Sequence, residues 1–137
     1  MGAEPLQQFS AAHAELETTL ALQREAYFAH PAPSLAERQS DLRNLQRFVR
    51  ENKEAIIAAI CADYGNRSRH ETLFAEIFTA LDGPKHALKH LKKWMAPQKR
   101  HVSVLFATGQ NCVIPMPKGV VGIVAPWNYP LFLTMSP

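Results

Sequence analysis

At 137 residues, 47% hydrophobic and 20% charged, the chain has the composition of a globular domain and enough apolar content to bury a core. A formal charge of +3 is too mild to imply a polyanionic partner, and two cysteines exclude a disulfide framework or a paired-cysteine zinc site. The first residues, with Glu4 and Gln7 and no continuous apolar run, form neither a signal peptide nor a basic transit peptide, so the expected location is cytoplasmic.

Ala11 to Ala29 is rich in Ala, Glu, Gln and Leu, with Leu16, Leu20 and Phe28 loosely on one side, and predicts a helix that Pro31 and Pro33 end. Ser34-Leu35-Ala36-Glu37 is a capping box. From it, Leu35, Leu42, Leu45, Val49, Ile56 and Ile60 keep 3- and 4-residue spacing, which predicts one amphipathic helix of about 25 residues. Gly65-Asn66 stops it, and Ser68-Arg69-His70-Glu71 repeats the capping-box pattern at the next helix. That helix has an apolar stripe of Leu73, Phe74, Ile77, Phe78 and Leu81. The stripe continues through Leu88, Leu91 and Trp94, with Pro84 expected to kink or restart the helix.

Pro97 closes the helical half. His101 to Phe106 alternates as a strand, Thr108-Gly109-Gln110-Asn111 is turn chemistry, and Cys112 to Met116 reads as a returning strand, so a hairpin is expected. Pro117-Lys118-Gly119 leads into Val120–Val124, an apolar β-branched run broken only by Gly122, which predicts a central strand covered on both faces. Pro126 ends that strand, so Trp127, Asn128 and Tyr129 fall on a loop past its carboxyl end, where ligands sit in open α/β sheets. Pro130 opens a short apolar helix. A stop at Pro137, with no second strand to complete a βαβ unit, leads to the expectation that the chain is a fragment.

Pro117-Lys118-Gly119-Val120-Val121-Gly122-Ile123 followed by Pro126-Trp127-Asn128-Tyr129-Pro130 resembles the aldehyde dehydrogenase superfamily. The upstream half extends the likeness through Leu42 to Ile60, Asp63-Tyr64-Gly65-Asn66-Arg67-Ser68, His70-Glu71-Thr72, Ala75-Glu76-Ile77 and Leu91-Lys92-Lys93-Trp94-Met95. These features are most similar to the coniferyl aldehyde dehydrogenases, a branch near the class 3-like enzymes. The resemblance implies an α/β amino-terminal fragment: long amphipathic helices, a β-hairpin, and the first strand of a Rossmann-type sheet. It divides the chain into residues 1–100 as the helical part of the cofactor-binding domain, 101–116 as the hairpin of the oligomerisation arm, and 117–137 as the first strand and loop of the dinucleotide-binding domain, truncated.

Members of that family oxidise an aldehyde through a cysteine thiohemiacetal, with NAD or NADP as cofactor, and hydrolyse the thioester with a glutamate as base. The resemblance gives Asn128 the role of oxyanion donor. It places Val124, Ala125, Pro126, Trp127 and Asn128 against the cofactor, and implies an aldehyde substrate, a homo-oligomer (dimer), and no activity from this chain alone. From the residues themselves Asn128 reads first as a helix cap before Pro130, and Trp127 as a core aromatic near a sheet end. Gly119 and Gly122 lack the following helix start of a phosphate-binding loop. Gly109-Gln110-Asn111-Cys112 matches the Gly-Gln-x-Cys context of the family's nucleophile but precedes the Pro-Trp-Asn segment, so Cys112 reads as a strand thiol, and Cys61 as a core thiol.

Three other readings remain. His86 and His90 have i, i+4 metal-ligand spacing, but Lys85, Lys89, Lys92 and Lys93 oppose a cation there, so no metal is expected. The basic stretch from Lys85 to Arg100 is the basis of a nucleic-acid or acidic-surface binding module, without aromatic interleaving to support it. A non-catalytic chain that joins full-length subunits through the hairpin is the third. No membrane span is expected from Gly119 to Pro137, because Pro126, Asn128 and Pro130 interrupt it.

Overall fold

Ser34 shows how locally this chain specifies its helix starts. In the computed structural model, which describes residues 4–137, Ser34 Oγ accepts from Glu37 N at 3.3 Å while Glu37 Oε2 accepts from Ser34 N at 2.7 Å. This is the reciprocal cap expected from the sequence. Residues 1–3 of the stretch read for a leader lie outside the described residues.

The chain forms two compact units. The first joins α1 (Glu4–Ala29) to the segment 116–122. Tyr27 donates its hydroxyl to the Pro117 carbonyl at 3.2 Å, and Gly119 lies beside the Tyr27 ring with φ +106°. A side chain at that φ is strained, which explains the glycine. Leu16 and Phe28, read as one apolar side of α1, are exposed.

The second unit holds the rest of the elements. α2 (Leu35–Glu51) and α3 (Lys53–Tyr64) correct the expectation of one uninterrupted helix. Asn52 sits between them at φ −99°, ψ 9°. Its backbone N–H and its side-chain Nδ2 both donate to the Phe48 carbonyl, at 3.0 and 2.9 Å. Such short polar side chains compete with the helix for backbone groups, and here the competition ends α2 without a connecting loop. Gly65, at φ +76°, ends α3 with its N–H on the Cys61 carbonyl.

α4 (Arg69–Thr72) starts at Ser68, but the second capping box does not form. Ser68 Oγ accepts from His70 N at 3.2 Å, and Glu71 turns to Arg67 instead, 3.6 Å away. A nearby guanidinium outcompetes a single backbone N–H for that carboxylate. The helix then widens into a π-helical segment, Leu73–Phe78, before α5 (Thr79–Met95). Thr79 Oγ1 donates to the Ala75 and Glu76 carbonyls at 2.5 and 3.1 Å, stabilising groups that the widened turn leaves displaced. Pro84, expected to kink or restart the helix, lies buried inside α5, and the widened segment is upstream of it. α5 ends where Ala96 becomes extended ahead of Pro97, as the residue before a proline must.

The hairpin forms at a different place from the one expected. β1 (Gln98–Arg100) pairs antiparallel with β2 (Asn111–Val113) in the register Gln98↔Val113, Lys99↔Cys112 and Arg100↔Asn111. His101–Phe106 is loop, containing a 3₁₀ turn at Val104–Phe106. Phe106 N bonds Ser103 O and Gly109 N bonds Phe106 O, both at 2.8 Å, so these amides are satisfied locally and do not extend the ladder.

Val120–Val124 forms no strand here, contrary to the expectation of a central strand buried on both faces. Val121 is 65% and Val124 98% exposed. A strand exists only through a neighbour's backbone, and the one described sheet, β1–β2, does not include this run. Short helix α6 (Pro130–Met135) follows, with Pro130 at its first position as expected.

Val49, Ile57 and Ile77 make the core of this unit, with Ile56, Cys61, Leu73, Leu81, Leu131 and Met135 packed around them. Gln46 Nε2 donates to the Leu81 carbonyl at 3.2 Å, tying α2 to α5 through a buried side chain. At the surface, Arg69 Nη2 donates to both Glu54 oxygens at 2.8 and 2.9 Å, joining α4 to α3.

Those hydrogen bonds from Arg69 are the main cause that holds the Glu54 carboxyl below its ordinary value of 4.5; desolvation opposes them and Lys53 adds to them. A carboxyl lowered in the folded state contributes stability that is fully present above its unfolded value and is lost as pH falls through the lowered one. Wild type should therefore exceed Glu54→Gln in urea-unfolding stability at neutral pH, by a small margin because the pair is exposed. The two midpoints should converge as the pH is taken below 4.5.

Candidate functional site

The loop 126–129 lies between Pro126 and α6, and two side chains from elsewhere hold it. Arg67, in the turn between α3 and α4, donates Nη1 to the Asn128 carbonyl at 2.7 Å. Its side chain is only 4% exposed, with the guanidinium 4.8 Å from the Tyr64 ring centroid and 4.9 Å from that of Tyr129. Two aromatic faces suit a delocalised, weakly hydrated cation, and Tyr129 belongs to the loop being held. The Arg67 backbone is fixed in turn, since Cys61 Sγ donates to its carbonyl at 3.3 Å.

Glu76, from the π-helical segment, holds the other end. Its Oε2 accepts from Phe132 N at 2.9 Å, satisfying an amide in the first turn of α6 that has no intrahelical partner. Its Oε1 stands 3.5 Å from Arg67 Nη1, and Glu76 is fully buried. One ion pair thus grips the Asn128 loop on its carbonyl side and the start of the following helix on its amide side.

A shallow groove opens beside Arg67, lined by Tyr64, Asn66, Arg67, Ser68, Glu71, Trp127, Asn128 and Tyr129. Asn128 is exposed on it. Trp127 is 85% exposed, so it is not the core aromatic that one reading made it. Val124 and Pro126 are also exposed, and Ala125 is half-buried. All five residues assigned to the site therefore form one continuous, accessible strip, with Asn128 the one whose backbone is clamped.

Cys112 lies in β2 opposite Lys99 and is exposed. It is not among the residues of the Asn128 groove. His86 and His90 stack their rings 4.1 Å apart, and the stack continues to Trp94 at 5.7 Å, with His90 Nδ1 2.9 Å from the His86 carbonyl. Among the described residues no three metal-ligating side chains converge, and no helix is long and apolar enough to cross a membrane.

The aldehyde dehydrogenase family model matches residues 3–137. The chain belongs to the aldehyde dehydrogenase family. Its relatives in that family include a probable coniferyl aldehyde dehydrogenase of Pseudomonas aeruginosa, 42% identical over 132 residues that cover 96% of this chain and 28% of that protein. The coniferyl aldehyde dehydrogenase of Pseudomonas sp. strain HR199 is 35% identical over 90% of this chain and 25% of its own length. Mouse aldehyde dehydrogenase family 3 member B2 is 36% identical over 88% of this chain and 25% of its own. The chain therefore spans about a quarter of the length of these aldehyde dehydrogenases.

Arg67 and Glu76 are the side chains that hold the Asn128 loop, and neither stands out in the sequence as doing so. A signal was available for Glu76. It lies three residues after Leu73 and next to Ile77, so the helical period puts a carboxylate on the buried stripe, and a buried carboxylate requires a cation. Replacing Glu76 with alanine leaves the buried Arg67 with only the exposed carboxylate of Glu71 at 3.6 Å and the Phe132 amide unpaired. Glu76→Ala should lower unfolding stability by about 3–5 kcal/mol, read from chemical denaturation monitored by circular dichroism.

Proposed function

We propose that this chain supplies the oxyanion donor and part of the cofactor wall of an NAD(P)-dependent aldehyde dehydrogenase. The observation that carries the reading is the clamped, exposed Asn128, in a chain whose family relatives are aldehyde dehydrogenases. In this reading a cysteine thiolate outside this chain adds to the aldehyde carbon, the carbonyl π bond breaks, and the oxygen takes the negative charge. The Asn128 side-chain amide donates to that oxygen. Because the amide is neutral it does not titrate, and because its backbone is held in advance little reorganisation is needed when charge develops.

Val124 and Trp127 present exposed apolar and aromatic surfaces of the kind a flat nicotinamide ring packs on, and Ala125 and Pro126 join them in a narrow strip. NAD or NADP, when bound, accepts the hydride. The chain's own residues bind and orient; they do not form the covalent bond. Residues 117–137 and residues 1–100 belong to the dinucleotide-binding domain of that enzyme, where Val120–Val124 pairs as a strand only when a neighbouring strand is supplied. Residues 101–116, which include β2 of the observed hairpin, belong to the oligomerisation arm of a homodimer; the exposed faces of β1 and β2 support that assignment. The names of the Pseudomonas relatives favour coniferyl or a related aromatic aldehyde as substrate, and a cytoplasmic location accompanies the reading.

Purified alone, the 137-residue chain should form no NAD(P)H from aldehyde; measurable turnover would overturn the assignment of the nucleophile to a site outside it. In the enzyme that contains this chain, Asn128→Ala should slow acylation by about 10²- to 10³-fold while cofactor affinity changes little. Single-turnover kinetics measure the first quantity and fluorescence titration with cofactor the second.

A further inference from the structure

We propose that Arg67 is a positioning residue for the oxyanion donor, acting through the main chain of Asn128, and that Glu76 and the two tyrosines exist to hold Arg67 in that geometry. The inference rests on the reading of Asn128 as that donor. Its basis is the distribution of short contacts around a buried cation. Arg67 has five N–H donors and is 4% exposed, yet its one short hydrogen bond is the 2.7 Å contact to the Asn128 carbonyl. Nε and Nη2 have no hydrogen-bond partner, and the carboxylates stand farther off, Glu76 at 3.5 Å and Glu71 at 3.6 Å.

A guanidinium buried only to neutralise Glu76 would put its best bond on Glu76. Here the best bond goes to the peptide of Asn128, and the acid is set back where it compensates charge without taking the donor. Tyr64 and Tyr129 flank the guanidinium and fix its plane. Glu76 spends its other oxygen on Phe132 N, so the peptides on both sides of Tyr129-Pro130 are tied to one ion pair. The backbone conformation at Asn128 restricts the rotamers open to its side chain, and Arg67 holds the carbonyl of that backbone. A lysine keeps the charge but has no planar fork to lie between two rings, so charge and geometry can be separated.

The test is a double-mutant cycle in the enzyme that contains this chain, with acylation followed by single turnover, rates expressed per titrated active-site thiol, and cofactor binding measured separately. Arg67→Lys should slow acylation by about 10- to 100-fold, the scale expected for a displaced catalytic group, and leave the cofactor dissociation constant within about twofold. In an Asn128→Ala background the same substitution should cost no more than about twofold, because the group it positions is gone. A purely structural role predicts that the two losses multiply and that cofactor binding falls with them, and either result overturns the proposal. Should Arg67→Lys fail to fold, Tyr129→Leu removes one face of the sandwich and should slow acylation in the same direction, again only while Asn128 is present. Full-rate acylation by Asn128→Ala would sink the oxyanion reading and this one together. Slow Asn128→Ala with normal Arg67→Lys would sink this one alone.

Discussion

A carboxylate with no exposure to water is the constraint around which the second unit of this chain is arranged. Burying Glu76 costs several kcal/mol that must be recovered from a cation and from hydrogen bonds, and the structure recovers it from Arg67 and from the amide of Phe132. Arg67 precedes α4 and Phe132 is 56 residues away in sequence. The single acid therefore joins the α3–α4 turn, the π-helical segment and the start of α6, and the Asn128 loop is the piece of chain enclosed between them. The apolar cluster of Val49, Ile57 and Ile77 is small, and a polar lock of this kind specifies one arrangement where a few aliphatic contacts would permit several.

Much of the helical part was legible because its determinants are local. The Ser34 cap, the Gly65 stop and Pro130 at a helix start are set by neighbours within a turn or two and are present; of the expected stripe, Leu73, Ile77 and Leu81 pack on the core while Phe74 and Phe78 are exposed. The misreadings share a cause. Asn52 ends α2 by taking the Phe48 carbonyl, Glu71 leaves its expected cap for Arg67, and Phe106 satisfies its amide on Ser103 in a tight turn. In each case a local pattern had two acceptable outcomes, and a partner invisible to periodicity chose between them.

The candidate site was legible in a different way. Trp127, Asn128 and their proline brackets stand out as a motif, and the structure places them on one accessible strip. The residues that hold the strip do not stand out. Arg67 is one basic residue among many in a loop, and Glu76 is disguised by the helix it interrupts. Val120–Val124 marks the opposite limit: its composition states a strand plainly, but a strand is a relation between two chains, and composition carries only one side of it.

The widened turn at Leu73–Phe78 has a consequence for how this region tolerates change in length. A regular α-helix advances about 100° per residue, so a π-helical segment accommodates the chain at an angular offset that a plain helix of the same ends would not have. Glu76 lies within that segment, with Arg69 and the stop at Gly65 on one side and Trp94 on the other. Side chains outside the segment can be exchanged for others of similar size while Glu76 keeps its direction. Gaining or losing one residue inside it turns the acid away from both its partners at once, so here the number of residues is a stricter condition than their identity.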